Sequence, residues 1–227
     1  MIVVIGCPTG RVADGVIAAA GMSSRVALSA AGAGRTVQLV GRVGDDPTAD
    51  AVVLDLARGG VGHVALLRDG TRATPLEPAE PDEPDGTEID DADDDAGPSP
   101  VDHMAATGGP VLESADVDLG LRYLTEFSVL VIAEPVDRAT TSVVAEAAGW
   151  GDARLIVIVR PDAPAPAGLP ADAVVFEAPD ADPDGVFATL VGHFAAGLDD
   201  GVEPEAAFKD SLGFDGWSEA IEGSDPG

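Results

Sequence analysis

Cysteine occurs once in the 227 residues, at Cys7, which excludes a disulfide scaffold and any zinc cluster built on cysteine. Lysine also occurs once, at Lys209, asparagine never, and glutamine once, as Gln38. Positive charge is scarce: 12 Lys and Arg stand against 41 Asp and Glu, a net charge of −29. A field of that sign repels a polyanion and argues against a nucleic-acid polymer as partner. No apolar run reaches the roughly 20 residues that span a bilayer, so no membrane partner is expected. The opening MIVVIGCPTGRV has no basic stretch ahead of its apolar run, which argues against a secretory leader. The expectation is a soluble, cytoplasmic protein. Hydrophobic residues make up 45% of the chain, enough for a core and too many for full-length disorder. Arg over Lys, and 28 Asp against 13 Glu, follow either from drift in a GC-rich genome or from life in a salt-rich, halophilic cytoplasm.

What is present alternates between short apolar runs and helical spacing. Residues 2–6, 36–40, 63–68, 127–133, 154–160 and 172–178 read as strands, and residues 22–32, 48–58, 118–124, 138–149, 184–197 and 203–212 as helices. Near-continuous apolar strands between helices predict an α/β fold, a three-layer α/β/α sandwich with a mostly parallel sheet covered on both faces. The composition breaks in the middle. Residues 75–100 hold six prolines and eleven acids, among them the run Asp90-Asp91-Ala92-Asp93-Asp94-Asp95. Such a stretch buries too little apolar area to offset its ordering entropy. It reads as an acidic, disordered insert at about 75–104 within a single domain spanning 1–227, which ends in a polar tail at about 215–227.

Several constellations read as structural. The Asp90–Asp95 run lacks the glycine and terminal glutamate of a calcium loop. His63, His103 and His193 are far apart, and no metal site is expected. Cys7 follows the first strand and reads as a small buried hydrophobe. Gly6-Cys7-Pro8-Thr9-Gly10 lacks the Gly-Lys-Ser/Thr ending of a phosphate loop. Trp150 and Trp217 read as core or rim anchors. Residues 41–46, GRVGDD, read as a glycine-rich turn with Asp46 as N-cap and Pro47 as first residue of the next helix.

The order of these pieces carries more. Ala20-Gly21, Arg25 and Ala27 open a helix of small residues. A strand, then Gly41, Gly44, Asp46 and Ala49, a second helix, and Gly60-Val61 before a strand follow. This resembles the N-terminal half of the ribokinase (PfkB) family of carbohydrate kinases, which writes GGxxxNxA, a strand, GxxGxDxxG, a helix and a GV turn. LGLRYLTEFSVLVIAEPV is similar to the family's central strand and following helix. The resemblance implies a ribokinase-like fold, with Asp14, Gly21, Arg25, Gly44 and Asp46 as the substrate-binding positions for a sugar or nucleoside. Arg25 stands where the family's asparagine clamps the substrate, and an arginine there would hold a carboxylate or phosphate. Its structural reading is a surface arginine paired with one of many acids.

The family's second signature, DTxGAGDxF, binds phosphate at a helix N-terminus and supplies an aspartate as general base. Here the segment is Pro179-Asp180-Ala181-Asp182-Pro183-Asp184-Gly185-Val186-Phe187. Anchored on Phe187, Gly185 falls at the catalytic position and Asp182-Pro183-Asp184 on the anion hole. Asp184 becomes the base only in a register slipped by one. About 14 residues before Gly21 are few for a β lid over the sugar, and the segment after Glu177 is short for the strands that hold adenine. The expectation is therefore a shortened relative without kinase activity, binding a ligand or partner and dimerising through an exposed sheet edge. The alternatives are a carbohydrate or nucleoside kinase with a shortened site, using ATP and Mg²⁺ as cofactors, or another small-molecule enzyme. Self-repulsion at −29 predicts that the thermal midpoint rises between about 0.1 and 2 M KCl; an unchanged midpoint would favour drift over salt adaptation.

Overall fold

The protein is described here from a computed structural model, which describes residues 1–13, 15–77, 108–182 and 184–213. Strand β1 (Ile2–Ile5) is central, and all four of its residues are fully buried. The chain then makes a hairpin, β2 (Thr9–Ala13) and β3 (Val16–Ala20), before α1 (Gly21–Gly32), β4 (Val37–Gly44), α2 (Pro47–Arg58) and β5 (Val61–Asp69). The second half runs α3 (Ser114–Tyr123), β6 (Val129–Ile132), α4 (Arg138–Gly151), β7 (Arg154–Val159), β8 (Val174–Glu177), α5 (Val186–Asp199) and α6 (Pro204–Ser211). Six strands form one sheet in the order β5-β4-β1-β6-β7-β8, and every pairing in it is parallel.

Alternation along the strands builds two cores. Ile2, Val4, Leu39, Val131 and Ile156 face α1 and α5, where Val26, Ala30, Val191 and Phe194 are buried against them. Val3, Ile5, Leu130, Ile132 and Val157 face the other way, onto Val117 of α3 and Val144 of α4. This is the expected three-layer sandwich. Helices α1 and α5 approach closely because Gly192 has no side chain: a Cβ there would stand 2.6 Å from Ser29 Cβ. At the β8 edge, Phe176 packs against Phe187, Phe194 and Phe208 at centroid distances of 5.3–6.3 Å.

Three expectations are corrected. The residues just before Gly21, where no strand was expected, form an antiparallel hairpin from Thr9↔Ala20 to Ala13↔Val16. Its strands carry Ala18, Ala19 and Ala20, weak strand formers without alternation, which hid it. The hairpin lies along α2, and Asp55 accepts a hydrogen bond from the Ala19 N–H at 2.8 Å. Second, GRVG is strand and only Asp45-Asp46 turns, because β5 pairs alongside as far as Gly44↔Asp69. Third, residues 75–77 belong to the fold: Gly10 N–H donates to Pro75 O at 2.8 Å and Glu77 N–H to Gly10 O at 2.7 Å. The acidic run at 90–95, His103, Trp217 and the tail lie outside the described residues. Trp150 is a rim residue, 85% exposed.

Gly41 marks the tightest backbone approach in the sheet: a Cβ would stand 2.0 Å from the Gly6 carbonyl oxygen. Gly41→Ala is expected to cost about 1–3 kcal/mol by overpacking against rigid backbone. Gly149→Ala, which meets open space on exposed α4, is expected to stabilise by about 0.5–1 kcal/mol. Urea midpoints of the two variants check the opposite signs.

Candidate functional site

Strand β1 is the point where the chain reverses direction across the sheet. Its neighbour β4 is reached through the hairpin and α1, while β6, on its other side, follows only after β5 and α3. Open parallel sheets leave a crevice at the carboxyl ends of such strands. Gly6 and Cys7 leave β1 there, and Glu134 leaves β6. Glu134 Oε1 accepts the Cys7 N–H at 2.5 Å. A Cβ on Gly6 would stand 2.8 Å from Ser23 Cβ and 3.3 Å from the Glu134 carboxyl carbon, so Gly6 lets both polar groups close over the strand end. Ser23 is fully buried, and its hydroxyl has no hydrogen-bond partner among the described residues.

This crevice perturbs its titratable groups. Burial raises the Glu134 pKa above the ordinary glutamate range, and the Cys7 N–H offsets only part of the effect. Burial, and then the charge of Glu134, pushes the Cys7 thiol up to about 12. Cys7 is therefore protonated at neutral pH and is no nucleophile. Beyond Glu134, Thr141 and Arg160 join apolar walls from Ile132, Val157 and Val159 around a cleft of about 270 Å³.

Two helix N-termini point towards the same end of the molecule, and each holds a carboxylate of the chain itself. Gly21 opens α1 at φ +81°, and its N–H donates to Glu77 Oε1 at 2.8 Å. Thr9 Oγ1 donates to the same oxygen at 3.3 Å. Arg25 Nη2 lies 2.9 Å from Glu77 Oε2. The other Arg25 nitrogen, Nη1, donates to the Asp182 carbonyl. At α5, Asp182 Oδ1 accepts from the Phe187 N–H and Oδ2 from the Ala188 N–H, both at 3.0 Å. The N-terminal N–H groups that would cradle phosphate thus carry a side-chain carboxylate. A second anion at about 4 Å from this carboxylate is repelled by ~1 kcal/mol in water and by several in a cleft.

The expected site residues separate into three places. Gly21 and Arg25 meet at the α1 N-terminus. Gly185, at φ +70°, precedes α5, a conformation that disfavours any side chain at the position aligned with the general base. Asp184 is exposed beside it and lines a groove with Arg11, Arg25 and His193. Gly44 and Asp46 form a structural tie. Asp46 caps α2 by accepting from Ala49 N–H at 2.8 Å, and its second oxygen accepts from Thr74 N–H at 2.7 Å. The Gly44 N–H donates to the buried Thr74 hydroxyl at 2.8 Å, where a Cβ would clash with Asp46. Asp14 and Pro183 lie outside the described residues. Among the described residues, no three His, Cys, Asp or Glu side chains group to hold a metal ion, and no helix is long and apolar enough to cross a membrane.

Glu77, Glu134 and Ser23 were missed from the sequence. Glu77 sat inside the stretch set aside as an insert. Glu134 had a readable signal, a lone acid ending the apolar run VLVIA at a strand's carboxyl end. Ser23 had none.

No protein-family model and no curated protein sequence matches the chain. Solved structures do. Ribokinase of Arabidopsis thaliana, complexed with ribose and ATP, superposes with a TM-score of 0.59 at 12% identity, covering 92% of this chain and 89% of its own. A PfkB protein from Polaromonas sp. JS666 gives 0.57 at 14% identity, covering 92% of each chain. The chain has the fold of ribokinase and the PfkB sugar kinases.

Glu134→Gln keeps an acceptor for the Cys7 N–H and removes the buried acid. A carboxyl with a raised folded-state pKa favours folding fully below its unfolded value, and that contribution is lost as pH rises through the folded value. The parent's urea midpoint is expected to fall more steeply than the variant's between about pH 4 and pH 8, and equal slopes would refute a buried, perturbed Glu134.

Proposed function

We propose that the chain is a ribokinase-fold protein that binds a small molecule or a partner and transfers no phosphate. The observation that carries this reading is Asp182, whose two oxygens take the Phe187 and Ala188 N–H groups at the start of α5. Gly185 supports it, since the position aligned with the general base has no side chain to accept a proton. With neither a phosphate cradle nor a base at that helix, the chemistry of the fold's known kinases lacks both of its polar parts. The remaining crevice, lined by Glu134 and Thr141, suits recognition of a ligand with hydrogen-bond donors. Sugars and nucleosides are the ligand classes to test first, because the neighbouring ribokinase was solved with ribose.

The alternative reading, a kinase with a shortened site and Asp184 as base, has one observation in its favour. Asp184 is exposed at the mouth of a groove that also contains Arg11 and Arg25.

The expected outcome of incubation with ATP–Mg²⁺ and a panel of sugars and nucleosides is no ADP above the protein-free rate. At least one member of the panel is expected to raise the thermal midpoint without ATP. ATP-dependent phosphorylation of any panel member, abolished in Asp184→Asn, would replace this reading with the kinase.

A further inference from the structure

The groove that contains Asp184 runs along the seam of α1 and α5 beside the hairpin and has a volume of about 430 Å³. Three basic residues line it: Arg11 on β2, Arg25 on α1 and His193 on α5. Arg11 makes no ion pair among the described residues, although acids outnumber Lys and Arg 41 to 12.

Arg25 does hold a carboxylate, and the way it does so defines a receptor. One oxygen of Glu77 takes the guanidinium, and the other takes the Gly21 N–H and the Thr9 hydroxyl. Each oxygen of a planar group is thereby met by its own donors, with the positive end of α1 behind them. The pair is open to water, since Arg25 and Glu77 keep 20% and 27% of their side chains exposed. Exchange of Glu77 for another carboxylate therefore needs no unfolding. The surroundings favour a carboxylate over a phosphate. Arg25 already spends one nitrogen on the Asp182 carbonyl, and Asp184 borders the same groove, so a dianionic phosphate meets more repulsion than a singly charged group.

We infer that Arg25 and Arg11, which both line this groove, bind a small dicarboxylate between them. One carboxylate replaces Glu77 on Arg25, Gly21 and Thr9, and the second meets Arg11. Glu77 is the tethered competitor that holds the receptor in the free chain. The inference rests on the ligand-binding reading above and adds a second ligand class at a groove separate from the Glu134 crevice.

Calorimetric titration of the full chain with glutarate, acetate and inorganic phosphate, at constant ionic strength, tests it. Glu77→Gln, which keeps the side chain's shape and removes its charge, is expected to bind glutarate about tenfold tighter than the parent, the scale of one charge-assisted hydrogen bond. Arg11→Gln is expected to lower glutarate affinity to that of acetate and to leave acetate unchanged. Glutarate binding that is absent or no tighter in Glu77→Gln overturns the inference. So does an Arg11→Gln variant that still prefers glutarate to acetate, or phosphate that binds tighter than glutarate. Arg11 makes no ion pair among the described residues, so its variant remains decisive if Glu77→Gln is destabilised. Phosphotransfer would defeat the non-kinase reading and leave these affinities untouched, whereas a failed titration without phosphotransfer defeats this inference alone.

Discussion

Arg25 joins the parts of the molecule that a ligand would have to address. Its guanidinium reaches Glu77 on one side and the Asp182 carbonyl on the other, so it ties the segment after β5 to the loop before α5. Around it, two helix N-termini face the same end of the sheet, with one N–H of α1 and two of α5 taken by carboxylates of the chain. Helix dipoles favour negative charge there, and the chain supplies that charge from its own side chains. The consequence is a site shaped for anions and filled with internal ones.

The same solution recurs through the fold. Asp46 caps α2, Asp137 caps α4 by accepting from Thr140 N–H at 2.7 Å, and Asp116 accepts from Glu113 N–H at 3.0 Å at the start of α3. Asp199 is nearly covered, at 3% exposure, yet it receives the Met1 ammonium at 2.6 Å and Arg35 at 2.7 Å. Burial alone would raise its pKa, and those bonds with Ser128 outweigh it and lower it. A chain of net charge −29 thus uses some of its surplus aspartate where backbone N–H groups or scarce arginines want an anion.

Glu134 is the exception. It is an acid at the carboxyl end of a central strand with one backbone donor and, among the described residues, no ion pair, beside a buried serine hydroxyl that has no partner among them. Groups held this way weaken a fold, and they concentrate where ligands bind because the ligand completes their hydrogen bonding. Gly6 and Gly41 make the arrangement possible, since neither position has room for a methyl group.

The sequence by itself determined the layers. Apolar runs such as VLVI and RLIVIV are long enough to be buried strands and nothing else nearby competes with them, and Asp46-Pro47 announces α2 because capping is a local interaction. The ribokinase-like order of elements was legible for the same reason. The hairpin was not, because its alanines have little preference of their own and gain it only by lying along α2. Nor was the extension of β4 through GRVG, which depends on β5 pairing beside it. Only the tertiary structure decided what Arg25 binds. Glu77 and the Asp182 carbonyl lie 52 and 157 residues from it in the chain, and among 41 acids no local rule selects Glu77. Charge and periodicity are properties of segments, whereas a site is a set of distances between segments that folding alone brings together.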